Sequence, residues 1–412
     1  MLKLFKENNM FRVFLTYQFF SSIGSAMFSM FILLSVHLIY QNPIYTGIAG
    51  FLMAAPRIFS FAVGPIVDRR NKVTIIRLTT FLEFLVLSLL SFTPLLEHLG
   101  VPFMFVVIFT YNIAVLFERP SGTALLPQIV REEEILKANS LIEIIAMAGG
   151  IIIGIALFTS LGGDINFNFL YGISAVFVAL AFVSSLFLRN IAKKETTKEL
   201  SSSSYMQDLK EGARFIRRSI LLFTILAIVA VDFAGEIAYV NRPMFLEYHV
   251  GAQGYVLFTL MVLVGGIAAS YFVGMMGNKF RVGRFAFTLF VLAGVARIVF
   301  ALAVPLHLIG ALVITAIFAA LAIAVDIIFS SLNQKIPPKD MVGRVSTIST
   351  TFVAISVALG ALVGGFLGSI VPDTGHIFIY QGVSYIAIGA VLICIPSIRK
   401  LPKMNDIKRS CD

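Results

Sequence analysis

What most constrains this chain is a succession of apolar runs, each about one bilayer crossing long, from near residue 11 to near residue 396. A hydrocarbon core about 30 Å thick takes roughly 20 apolar residues in helical form. Lipid offers a bare backbone no hydrogen bonds, so a crossing segment must be a helix or part of a closed barrel. Runs of this length fit helices. Twelve spans are expected, near 11–40, 46–67, 73–95, 101–124, 138–161, 168–189, 219–246, 254–277, 285–304, 309–334, 342–371 and 376–396. They are numbered 1 to 12 in chain order below. The first run is not expected to be a cleaved signal peptide. It is too long, lacks an A-x-A-like site, and is followed at once by another span. Connections other than 190–218 are short and leave no room for a soluble domain. The chain is 58% apolar and 13% charged, against about 45–50% and about 25% for an ordinary soluble domain.

The basic residues give the direction of the spans. With both termini in the cytoplasm, 29 of the 32 lysines and arginines fall in inner segments, as the positive-inside rule requires. The exceptions are Arg57 and Arg297, within spans, and Arg242, expected near the outer surface. The net charge of +10 therefore reads as a topology signal and a contact for anionic lipid of the cell membrane. A nucleic-acid patch would gather the charge on one face, whereas here it is dispersed over seven segments. His37, His98, His249, His307 and His376 lie near outer ends and read as interfacial residues rather than metal ligands or pH sensors. Cys394 and Cys411 offer no disulfide framework. No metal or cofactor is expected.

The chain divides into residues 1–190, a linker at 191–218 and residues 219–412. The linker begins with a polar stretch, KKETTKELSSSS, expected to be flexible. A basic amphipathic helix follows, with Met206, Leu209, Ala213 and Ile216 on one face and Ser204 as its cap. It is expected to lie on the inner membrane surface. The flanking halves echo one another. At an offset of 206, Gln128 meets Gln334, Ser140 meets Ser346 and Gly154 meets Gly360; at 210, Gly64 and Asp68 meet Gly274 and Asn278. Parallel repeats of this kind build a cavity at their interface.

Polar residues at helical spacing mark spans 1, 4, 7 and 10. Span 1 has Gln18, Ser22, Ser25 and Ser29. Span 4 has Tyr111, Asn112, Glu118 and Arg119. Span 7 has Asp232, Glu236 and Tyr239, and span 10 has Asp326, Ser330 and Asn333. Polar groups in lipid need partners or water. The regular choice of every third span points to a shared polar cavity. For the serines, plain helix–helix hydrogen bonding is an equal reading. Arg57 on span 2 is a possible partner for an acid or a substrate. Glu83 and Arg297, on spans without a stripe, read as structural pairs. Small residues recur every fourth position on span 11 at Ser356, Gly360, Gly364 and Gly368, which allows close helix approach.

The stretch Gly64-Pro-Ile-Val-Asp68-Arg69-Arg70-Asn71-Lys72 resembles the signature loop of the major facilitator superfamily, G-x-L-A-D-R-x-G-R-K. Gly64, Asp68, Arg69 and Lys72 match in type, and Asn71 stands at the glycine place. The resemblance implies an all-α membrane protein with twelve transmembrane helices in two pseudo-symmetric six-helix bundles. It also implies that Asp68 helps hold and switch an inner gate. Pro120-Ser-Gly-Thr-Ala124-Leu-Leu-Pro127, Arg131-Glu132, Ala138-Asn139-Ser140, Asp208-Leu-Lys-Glu-Gly212-Ala-Arg214 and Gly343-Arg344-Val345-Ser346 resemble the branch of macrolide and siderophore exporters. Two features depart from that branch. No proline follows Gly150 or Gly154 on span 5, and the Gly-Asp pair of span 1 reads Gly24-Ser25.

The expected function is export of amphipathic or hydrophobic small molecules by proton antiport. The substrate and proton residues would be Asp232, Glu236, Asp326, Arg57, Glu118, Gln18, Asn112, Tyr239 and Asn333, and the protein is expected to act as a monomer. Uptake or facilitated diffusion of a small metabolite is the alternative. A membrane enzyme would need a ligand cluster or a nucleophile–base pair, which the scattered histidines do not supply. A receptor would lead one to expect a soluble output domain. No G-x-x-x-x-G-K-[ST] loop occurs for nucleotide hydrolysis.

Overall fold

The computed structural model describes residues 8–131, 134, 138, 141–142, 149, 166–189, 202–276, 279–338 and 341–407. Among them, eleven helices are long and apolar enough to cross a membrane. Span 5, expected at 138–161, lies largely outside the described residues. Span 1 is Asn9–Tyr40, span 3 Lys72–Leu90, span 4 Leu99–Ile129 and span 6 Phe167–Leu186. Spans 7 to 12 are Leu221–Gly251, Gly254–Val273, Val282–Ala303, Leu308–Lys335, Val342–Ile370 and Gly375–Cys394. Span 2 is interrupted. Its helix Pro43–Ala54 passes through a 3-10 turn, Ala55–Phe59, into Ser60–Arg69. Pro56 explains the change, because it lacks the N–H that an α-helix would bond four residues back.

Local chemistry sets the ends. Asn8, Asn42, Asn71 and Asn166 each accept backbone N–H bonds at the start of a helix, which satisfies donors the first turn leaves open. His307 caps span 10 in the same way, its Nδ1 accepting from Gly310 N at 3.0 Å. Gly100 (φ 71°) and Gly251 (φ 70°) turn the chain sharply into spans 4 and 8, in a region of backbone space open essentially to glycine. Span 7 continues to Gly251, and Arg242 lies within it.

The chain forms two compact units, Met1–Thr196 and Thr197–Asp412. In the first, Phe11, Phe14, Tyr17, Val73, Ile76 and Leu125 form one apolar core. In the second, Leu221, Phe290, Phe329, Leu332 and Val345 do so. Close helix approach depends on missing side chains. A Cβ on Gly360 would lie 2.7 Å from the Phe233 carbonyl, and one on Gly364 would lie 2.8 Å from Ile237 Cα. The small-residue ridge of span 11 is therefore where span 7 packs.

The linker helix spans Ser202–Arg218, so Ser204 falls within it and is not its cap. Its packed face is in part the one expected, with Ile216 on it but not Ala213. Ala213 is exposed, whereas Gly212 and Ile216 are buried. Gly212 lies against Arg344 and Ile348 of span 11, and Glu211 pairs with Arg344 at 2.7 Å. A salt bridge and a glycine notch draw the helix onto a protein surface, which periodicity could not distinguish from a lipid surface.

Candidate functional site

In the first unit, spans 1 and 4 meet through polar side chains. The Tyr17 and Ser21 hydroxyls both donate to Glu118 Oε1, the serine at 2.8 Å. Tyr111 donates to Ser25 Oγ at 3.1 Å and stacks on Phe28 with centroids 3.8 Å apart. Glu118 is only 6% exposed. Gln18 is half-buried and approaches Gly122 of span 4. Asn112 is buried but turns back to its own helix, donating to Ile108 O at 2.9 Å. The pairing of spans 1 and 4 is thus as the polar stripes suggest, but the residues that meet are Tyr17, Ser21 and Ser25 rather than Gln18, Ser22 and Ser29. Ser22 donates to Phe19 O, and Ser29 is exposed.

Glu83 of span 3 joins this cluster. It is fully buried, and the carboxyl of Glu118 lies within hydrogen-bonding range. It therefore faces a like charge and not the basic partner a structural ion pair would require. Arg119 is exposed and acts on the pair electrostatically. Arg57 is exposed in the 3-10 turn of span 2.

In the second unit, spans 7 and 10 bring Asp232 and Asp326 into mutual electrostatic reach, with the buried Tyr385 of span 12 beside both. Glu236 lies one turn along from Asp232 but has different surroundings. Its Cβ borders the space above Gly360 of span 11, and its carboxylate acts on Arg242. The Arg242 guanidinium lies 4.8 Å from the Tyr239 ring centroid and 5.3 Å from that of Tyr255. Asn333 reaches span 11 through Ser349 at 3.4 Å, so it joins helices rather than meeting Asp326. Arg297 pairs with no acid among the described residues. Its Nε donates to Gln381 at 2.5 Å, and its guanidinium lies 4.6–4.7 Å from Phe300, Phe318 and Phe378, where stacking suits a planar, weakly hydrated cation.

A groove of about 650 Å³ runs beside spans 7, 11 and 12, lined by residues such as Leu226, Phe233, Phe352, Leu359 and Ile388. None of the candidate residues lines it. Asp232 and Tyr239 project from another face of span 7.

At the signature loop, Gly64 lies within the helix Ser60–Arg69 with open space about it, and Lys72 opens span 3. The side chains of Asp68 and Arg69 lie outside the described residues. Asn71 has a role that the glycine-like reading missed. Its φ is −70°, and its Oδ1 accepts from Val73 N at 3.0 Å and Thr74 N at 3.3 Å. It is a helix cap.

Long apolar helices with a few clustered polar side chains define a multi-pass membrane protein. The chain belongs to the Major Facilitator Superfamily, whose family model matches residues 13–361, and is a transporter rather than an enzyme. A search of curated protein sequences finds no match. Among solved structures, the nucleoside transporter NupG is similar at TM-score 0.71 and 13% identity, covering 95% of this chain and 99% of that one. A POT family transporter in complex with a thioalcohol-conjugated peptide gives 0.69 and 14%, over 95% and 96%. A bacterial homologue of the iron transporter ferroportin, in an inward-facing state, gives 0.69 and 15%, over 93% and 98%. These likenesses establish the fold alone.

Proposed function

We propose that this transporter exports amphipathic or hydrophobic small molecules in exchange for protons, by alternating access. The observation that carries the reading is the approach of Asp232 and Asp326 on spans 7 and 10. Two carboxylates placed together in a membrane interior form a natural proton-binding pair. Glu236, Tyr239 and Arg242 adjoin span 7's acid, and Glu118, Gln18 and Asn112 supply polar groups in the first unit. Arg57 and Asn333 are assigned to the same transport path. Gly64, Asp68, Arg69 and Lys72 form the gating turn. The branch-like motifs at 120–140, 208–214 and 343–346 support a macrolide- or siderophore-like cargo.

The protein sits in the cell membrane as a monomer with both termini cytoplasmic and anionic lipid at its basic inner segments. Residues 1–190 and 219–412 act as six-span bundles joined by 191–218. Transport in proteoliposomes under an imposed pH gradient, screened over dyes, macrolides and siderophores, tests the reading. Gradient-independent movement of all of them would overturn it. In a Cys394→Ser background, membrane-impermeant thiol reagents should label Cys411 from the cytoplasmic side alone.

Uptake of a hydrophilic metabolite is the second reading. It is favoured by the likeness to a nucleoside transporter and to a POT family transporter holding a peptide conjugate. Accumulation of nucleosides or peptides with an inward proton gradient, and no efflux of dyes, would decide for it.

A further inference from the structure

Glu83 is fully buried in span 3, yet neither of its carboxyl oxygens receives a hydrogen bond from an N–H or O–H group. The group that faces it is the Glu118 carboxyl, whose Oε1 already accepts from Tyr17 and Ser21. An ionised carboxylate has acceptors only. Two of them at this range repel, and burying two negative charges with hydroxyl donors to only one of them is costly. One proton resolves both problems. It turns one carboxyl into a donor, creates a strong O–H···O⁻ bond, and leaves a single charge that Tyr17 and Ser21 stabilise.

We propose that Glu83 and Glu118 hold one proton between them and form a proton-binding site inside the first unit, separate from Asp232 and Asp326. The surroundings are consistent with one shared charge. Span 1 supplies Tyr17, whose phenol the Thr80 hydroxyl of span 3 also reaches. Span 4 supplies Tyr111, bonded to Ser25, and the exposed Arg119. From span 6, Tyr171 bonds Ser35. Arg77 of span 3 donates to the carbonyls of Ser185, Leu186 and Leu188, and Arg57 of span 2 is exposed. No described lysine or arginine side chain donates a hydrogen bond to Glu83. The proton thus ties spans 3 and 4 together, while Tyr17 and Ser21 tie span 1 to the same group. Its loss would set two anions against each other at the centre of that junction.

The test is infrared spectroscopy of the full-length transporter in lipid nanodiscs, reading the stretching band of protonated carboxyls at neutral pH. Transport is not needed, so the outcome is independent of the exporter reading. Glu83→Gln should remove one protonated carboxyl, and Glu118→Gln should remove one. The double variant should also remove only one. No loss in either single variant, loss in only one of them, or a double loss twice the single would each overturn the proposal. In Glu83→Gln the new side-chain amide can donate to Glu118 in place of the proton, so the fold should persist. Thermal unfolding gives a second readout. A folded state that holds one more proton than the unfolded chain loses stability as pH rises. The wild-type melting temperature should therefore fall more steeply on alkalinisation than that of Glu83→Gln. Parallel curves would also overturn the proposal.

Discussion

The Asn241 side chain of span 7 donates to the Gly364 carbonyl of span 11 at 2.8 Å, and also to Ile237 O in its own helix at 2.8 Å. One amide thus closes the seam at which the glycine ridge lets the two backbones approach. Asn241→Leu removes the cross-span bond and should cost about 1 kcal/mol, the usual scale for such bonds between membrane helices. Gly364→Ala inserts a Cβ against backbone atoms that cannot swing aside, and should cost about 1–3 kcal/mol. Gly343→Ala, where no atom lies within 4 Å, is the control and should be neutral or slightly stabilising. Melting temperatures in one detergent rank the three. A Gly364→Ala variant as stable as Gly343→Ala would refute the packing account.

The cap at Asn71 gives a graded expectation. Asn71→Ala leaves the N–H groups of Val73 and Thr74 without their acceptor and should cost about 1 kcal/mol. Asn71→Gly should cost only a few tenths of a kcal/mol, which is consistent with glycine standing at this place in the signature pattern. Asp68→Asn belongs to the gate instead. It should lower turnover with little effect on substrate binding or melting temperature, and normal turnover would remove Asp68 from the gating turn.

The span boundaries are legible in the sequence because lipid leaves little choice. Span 10, expected near 309–334, is Leu308–Lys335; span 11, expected near 342–371, is Val342–Ile370. Facing is less legible. A helix that is apolar nearly all round carries little phase information, so the stripe through Gln18, Ser22 and Ser29 is off by about one residue from the contacts at Tyr17 and Ser21. The four-residue spacing of Tyr17, Ser21 and Ser25 is the available signal. Glu83 has none, because its partner lies on another span and like charges are not an expected pair. Arg297 reads from the sequence as half of an ion pair because sequence cannot show Phe318 of span 10 and Phe378 of span 12 converging on it.

The docked linker helix distinguishes two contributions. The Glu211–Arg344 pair is partly exposed, so Arg344→Ala should cost at most about 1 kcal/mol, and less at high salt. The glycine notch should matter more. A Cβ on Gly212 already lies 3.0 Å from Ile348 Cδ1 and 3.1 Å from Arg344 Cβ, so Gly212→Val should lift the helix away. Limited proteolysis between 202 and 218 reads the difference: Gly212→Val cut several-fold faster, Arg344→Ala nearly as wild type. Faster cutting of Arg344→Ala than of Gly212→Val would mean that the salt bridge, not the notch, holds the helix.

The coupling acids of the second unit can be ranked by their neighbours. Asp232 and Asp326 influence one another across spans 7 and 10, whereas Glu236 lies toward Gly360 and Arg242. An acid in a membrane interior costs about 2.5–3.5 kcal/mol on insertion scales, while a leucine returns roughly 0.3–0.6 kcal/mol. Each aspartate therefore offsets several leucines, an expense that a purely structural hydroxyl or amide would avoid. Asp232→Asn and Asp326→Asn keep the size and remove the titration. At least one should abolish accumulation driven by a pH gradient, at least tenfold below wild type, yet retain substrate exchange at equal pH on both sides. Glu236→Gln should retain most of the gradient-driven transport, because its carboxylate has an arginine within reach. Proteoliposomes with an imposed pH gradient measure all three. If Asp232→Asn, Asp326→Asn and their double variant still concentrate substrate, the proton is carried elsewhere. If Glu236→Gln alone loses coupling, the proton site lies on the face of span 7 that meets span 11.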